Sequence, residues 1–196
     1  MKKRIVGLIV ILVMMMGLVP VVPMKVEAAD TPISINIGTI TDGTNGIGYG
    51  FSANTLTITG AGPYVITGSA ISNHIIVNNG GSVTSDITLN GVDIQFNDGI
   101  EHTQINGTCA LSINSSSKAK LTLIGANVLK SGQYQAGLEV TAGSEVTVAG
   151  ESTGNITATG GLGGAGIGSG GEGSVGTINI CGGTIIAQGG YDGAGI

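Results

Sequence analysis

The chain has 196 residues, 37 of them glycine, with no Trp and a formal charge of −5. Beyond residue 28 its cations are Lys118, Lys120 and Lys130 against eleven carboxylates, a net charge of −8. With no basic patch to displace counterions from phosphates, nucleic-acid binding is excluded, and an anionic membrane surface is disfavoured on the same ground.

In chain order, Met1-Lys2-Lys3-Arg4 precedes an apolar run from Ile5 to Met24, and "KVEAAD" then places Val26 and Ala28 as the small pair of a cleavage site. Residues 1–28 therefore read as a secretory signal peptide. An uncleaved anchor is the alternative, since the run is long enough to span a bilayer, but a basic start with a small-residue exit favours cleavage. The remaining 168 residues suit one domain, with residues 29–51 as a lead-in or cap and 52–196 as its body. Glycine makes up 35 of these 168, about three times the usual share. Each glycine inside a helix costs about 1 kcal/mol relative to Ala, so long helices are excluded. Plentiful Ile, Val and Leu with sparse charge argue against disorder. An all-β fold with many tight corners is the class that remains.

The body carries a recurrent signature, two apolar residues in alternation and then a glycine: Leu56, Ile58, Gly60; Ile87, Leu89, Gly91; Leu121, Leu123, Gly125; Val146, Val148, Gly150; Ile178, Ile180, Gly182. In "DITLNGVDIQF" the alternation resumes out of phase after Gly91, with Val92, Ile94 and Phe96. Such a shift describes two short strands that keep one apolar face while the chain bends between them. Towards the end, "QAGL" (135–138), "GAGI" (164–167) and "GAGI" (193–196) recur at a spacing of 29 residues, as do "ITATGG" and "IIAQGG". Strand, glycine corner, strand and loop about every 30 residues is the pattern of a parallel β-helix solenoid of about five to six coils. The pattern predicts that Ile87, Leu89, Val92, Leu121, Leu123, Val146, Val148, Ile178 and Ile180 face inward, with Ile87, Leu121, Val146 and Ile178 stacked. Asn90, Asn127 and Asn155, beside the corners, are candidates for left-handed bends. The sequence stops inside a repeat, at "YDGAGI", so the C-terminal end is expected to be truncated, with Gly193–Ile196 lying over Gly164–Ile167 and an open edge that favours self-association.

Residues 160–176, "GGLGGAGIGSGGEGSVG", contain two overlapping G-x-G-x-x-G matches. A dinucleotide loop must open a helix, and here "SVGTINICGG" follows, reading as strand and corner, so glycine serves backbone packing instead. Cys109 and Cys181 are expected to be unpaired and largely buried, a disulfide being the alternative in an exported chain.

"TLTITGAGPYVITG", "SDITLNGVDIQF", "AKLTLIGANVLKSG", "QAGLEVTAGSEVTVAG" and "GAGIGSGGEGSVGTINICGGTIIAQGG" together resemble exported bacterial carbohydrate-binding domain proteins, over roughly residues 52–196. That resemblance implies a right-handed parallel β-helix of pectate-lyase-like architecture at a Gram-positive cell surface or secreted from it. It further implies polysaccharide-binding or adhesion, with calcium on the β-helix in some relatives. The matched motifs are scaffold motifs, so no ligand residue transfers by resemblance.

Candidate site residues follow from chemistry alone. Tyr134 and Tyr191 stand in loops before the "AG" signature, and Asp192 adjoins the second, so a sugar could stack on a ring and bond to a carboxylate. Asp93, Asp98 and Glu101, in "VDIQFNDGIE", could offer oxygen to Ca²⁺, against the commoner outcome of a solvated acidic loop. No catalytic residue is assigned. A calcium-dependent polysaccharide lyase would need a basic residue beside acids, and a purely structural surface stalk is the stronger rival to sugar binding.

Overall fold

The computed structural model describes residues 31–97, 107–114 and 116–196, so residues 1–28, expected to be a signal peptide, and Asp98 and Glu101 lie outside the described residues. The described residues are all-β with no helix. In chain order the strands are β1 Ile33–Asn36, β2 Asn45–Gly46, β3 Tyr49–Ser52, β4 Thr55–Ile58, β5 Tyr64–Ala70 and β6 His74–Val77. These are followed by β7 Thr84–Gln95, β8 Leu111–Ile113, β9 Lys118–Ile124, β10 Ala126–Lys130 and β11 Leu138–Val140. The last five are β12 Glu145–Val148, β13 Asn155–Thr159, β14 Ile167–Gly168, β15 Thr177–Ile180 and β16 Thr184–Gln188.

Apart from the antiparallel β2–β3–β4 meander, these strands pair in parallel. One sheet runs β15-β12-β9-β7-β10-β13-β16, with β1 joined through β5, and the other runs β14-β11-β8-β6-β4-β3-β2. The parallel pairing already includes Ile33, opposite Tyr64. β7 sits in the middle of the first sheet because it bends at Gly91, whose φ is +67°. Its first part pairs with β9 and its second with β10. The bend realises the expected phase shift: Ile87 and Leu89 are buried before it, Val92 and Ile94 after it.

Inward side chains stack in columns, and the expected columns need one correction. Ile87 pairs with Leu121 as anticipated, but Leu121 then pairs with Val148, while Val146 lies beside Ala119. Val146 and Ile178 pair with each other, so the four residues form two columns rather than one. The reason is the corner. After β9 the chain turns within Gly125 alone, whereas after β12 it takes residues 149–154, and it is Gly154 whose N–H bonds the Leu123 carbonyl at 2.9 Å. The stacked corner glycines are therefore Gly125, Gly154 and Gly183, not Gly150 and Gly182. Burial also departs at β15: Ile178 is only partly buried and Ile180 is 45% exposed, because no described strand lies beyond β15.

The asparagines beside the corners do not take left-handed backbone; Gly91 and Gly125 hold those positions. Asn127 instead is fully buried, at the level where β7 has Val92. Its Oδ1 accepts from the Val92 N–H at 2.9 Å, and its Nδ2 donates to the Ile124 and Asn155 carbonyls at 3.2 and 2.9 Å. The side chain thus satisfies main-chain groups on three strands, β7, β9 and β13, where the corner breaks the ladder. Asn127→Leu keeps the volume but orphans these groups, and urea unfolding is expected to show a loss of about 1–3 kcal/mol.

Candidate functional site

Three loops with the same turn lie side by side. In each a glycine carbonyl accepts from the N–H three residues on: Gly132 from Gln135, Gly161 from Gly164 and Gly190 from Gly193. Between loops, the Tyr134 N–H bonds the Leu162 carbonyl and the Gly163 N–H bonds the Tyr191 carbonyl, both at 2.8 Å. Tyr134, Gly163 and Asp192 are therefore equivalent positions, each 29 residues from the next, and all have positive φ, +58°, +74° and +63°. Glycine takes this conformation freely, whereas Tyr134 and Asp192 each carry a penalty of order 1 kcal/mol. Gly166 and Ile167 continue the pairing by donating to the Ala194 and Gly195 carbonyls, so 193–196 does lie over 164–167.

The loops approach closely because glycine lines them. A Cβ on Gly161 would sit 2.0 Å from the Gly132 oxygen, and one on Gly164 would sit 2.1 Å from the Gln135 oxygen. This backbone-on-backbone stacking is the physical use of the G-x-G-x-x-G matches, and the segment leads into β14 and β15 rather than a helix.

An open cleft of about 740 Å³ lies along these loops. Half-buried Tyr134 forms one wall, its ring occupying the space that a side chain at Gly163 would take, 3.0 Å from that Cβ position. Gln135, Glu139, Glu172, Asp192 and bare Gly170 and Gly171 complete it. Glu139 projects from β11; its Oε2 accepts from the Ser112 hydroxyl at 3.2 Å, and its Oε1 faces Gly170. The neighbouring positions Gly168 and Gly170 have no side chain to fill the space beside it.

The structure thus brings Tyr134 and Asp192 into one cleft, together with Glu139 and Glu172, which the sequence reading had not singled out. Tyr191 is not part of the lining; it occupies the level of Leu162 and is 76% exposed. Asp93 lies elsewhere, lining a cleft of about 360 Å³ with Ser69, Ile71 and Asn97, and its Oδ1 accepts from Gln95 Nε2 at 2.8 Å. Among the described residues no three His, Cys, Asp or Glu side chains converge to hold a metal ion.

The lysines are placed across the sheet from acids remote in sequence. Lys118 lies 3.7 Å from Glu145 on the next strand, and Lys120 lies 2.5 Å from Glu151. The hydrogen bond to Glu151 pushes the Lys120 ammonium above its ordinary pKa, with Asp86 adding to the effect. Lys130 bonds the Asn97 side chain.

Both cysteines are free. Cys181 is exposed, contrary to expectation, because it follows β15 at the sheet edge. The Cys109 residue is partly accessible, but its Sγ is tucked against the Leu111 and Ala136 carbonyls, each at 3.3 Å. Burial, reinforced by the Glu139 charge, raises its pKa far above that of a free thiol. At about pH 8 iodoacetamide is expected to alkylate Cys181 and leave Cys109 intact until the chain is unfolded, as peptide mass mapping would show. Because the folded pKa is raised, the neutral thiol's contribution to stability is complete below the unfolded value of about 8.5 and declines as pH climbs beyond it.

No family model, curated protein or solved structure matches this chain.

Proposed function

We propose that this protein is a non-catalytic, extracellular polysaccharide-binding module, secreted behind its signal peptide and built as a right-handed parallel β-helix of about five to six coils. The observation that carries the reading is the cleft in which the Tyr134 ring stands beside Gln135, Glu139 and Asp192. An aromatic face with convergent polar groups is the surface that a sugar ring with axial hydrogens and equatorial hydroxyls requires. The αL strain at Tyr134 and Asp192 supports it, since glycine is used at the middle position and would have served at the other two.

The lyase alternative finds no lysine in this cleft: Lys118, Lys120 and Lys130 lie outside its lining and are engaged with Glu145, Glu151 and Asn97. The stalk reading draws on the glycine stacking, which would serve a spacer with or without a ligand. Pull-down on insoluble polysaccharides, with and without chelator, separates these readings. Tyr134→Ala is expected to weaken binding about tenfold or more, as loss of about 1.5–3 kcal/mol of buried apolar ring contact does. No binding to any glycan would leave the stalk; binding abolished by chelator would bring in calcium at Asp93, Asp98 and Glu101.

A further inference from the structure

We propose that the occupant of the Tyr134 cleft is a glycan bearing free amino groups, a polymer or oligomer of N-deacetylated hexosamine; this rests on the polysaccharide-binding reading of the same cleft. Three carboxylates, Glu139, Glu172 and Asp192, line it, and among the described residues no cationic side chain does. Lys118, Lys120 and Lys130 are engaged elsewhere, with Glu145, Glu151 and Asn97, so the cleft's charge is left for a ligand to compensate.

The arrangement selects the ligand class. Among the described residues no three acidic side chains are grouped so as to hold a single metal ion, and these carboxylates come from three separate segments, β11, the loop after β14 and the loop after β16. Negative charges supplied from several segments suit a chain with more than one ammonium group. Uronate polymers would be repelled by the same charges. Neutral sugars would leave the carboxylates without ionic partners. The Tyr134 ring suits an amino sugar twice over, since its face attracts both the apolar face of the ring and a nearby cation.

The test is calorimetric titration of the purified protein with a six-sugar β-1,4-glucosamine oligomer and its fully N-acetylated counterpart, at about 20 mM and about 300 mM salt. The glucosamine oligomer is expected to bind about tenfold tighter or more at low salt, with the preference shrinking at high salt. Asp192→Asn and Glu172→Gln should each remove most of that preference. Asn tolerates the left-handed backbone at 192, and residue 172 is exposed, so both variants keep the fold. Glu151→Gln, which changes net charge equally but outside the cleft, should leave the preference intact. Equal binding of the two oligomers would overturn the amino-glycan proposal while sustaining the polysaccharide reading. A preference that falls equally in Glu151→Gln would overturn it as bulk charge attraction. Binding of neither oligomer nor of any polysaccharide would overturn both.

Discussion

Leu121→Ala is expected to lower the free energy of unfolding by about 2–5 kcal/mol, the range that truncation of a buried Leu costs. Leu121 is fully buried and held in a column between Ile87 and Val148. Its neighbours ride on backbone ladders whose strands are fixed about 4.8 Å apart, so they cannot close over the void left by the missing carbons. The cost therefore includes the cavity as well as lost transfer energy. Urea titration should show a lower midpoint with an unchanged slope. Ile180→Ala, in the same column but at a position already 45% exposed, should cost clearly less. Equal losses at the two positions would contradict the packing described.

The second large effect is expected at Gly161, where alanine should cost about 1–3 kcal/mol or more through overpacking. The new Cβ would meet the Gly132 oxygen at 2.0 Å and the Gly132 carbonyl carbon at 2.4 Å, main-chain atoms that cannot swing aside. Relief requires the 131–137 and 160–166 loops to separate, stretching the 2.8 Å hydrogen bond from Tyr134 to Leu162. Glycan affinity and stability should therefore fall together in this variant. Gly91→Ala provides the contrast. Its Cβ would meet nothing within 4 Å, so only the left-handed backbone penalty of about 1 kcal/mol applies, and binding should be unaffected.

The candidate site shows why part of it was hidden in the sequence. The 29-residue spacing of "QAGL" and the two "GAGI" segments already places Tyr134, Gly163 and Asp192 at one level, and the backbone pairing follows it, with Tyr191 one residue short of that level. Glu139 and Glu172 carry no local motif; they reach the cleft because β11 and the loop after β14 are brought to it by parallel pairing. The ion pairs Lys118–Glu145 and Lys120–Glu151 join residues 27 and 31 apart, a separation that no window of neighbouring residues reports.

What the sequence by itself determined is the class and the face. Abundant glycine with sparse charge excludes long helices, and a two-residue apolar alternation states which side chains turn inward, so Ile87, Leu89, Val92, Leu121, Leu123, Val146 and Val148 are all buried as read. Alternation is a local property of an extended chain and survives in any pairing. Register is not local. Whether Leu121 stands beside Val146 or Val148 depends on how many residues each corner and loop absorbs, and the six-residue corner at 149–154 offsets the apparent glycine signature by two positions. Only the tertiary structure, through main-chain hydrogen bonds between strands some thirty residues apart, decided that register, and it alone brought Glu139 and Glu172 to the cleft beside Tyr134 and Asp192.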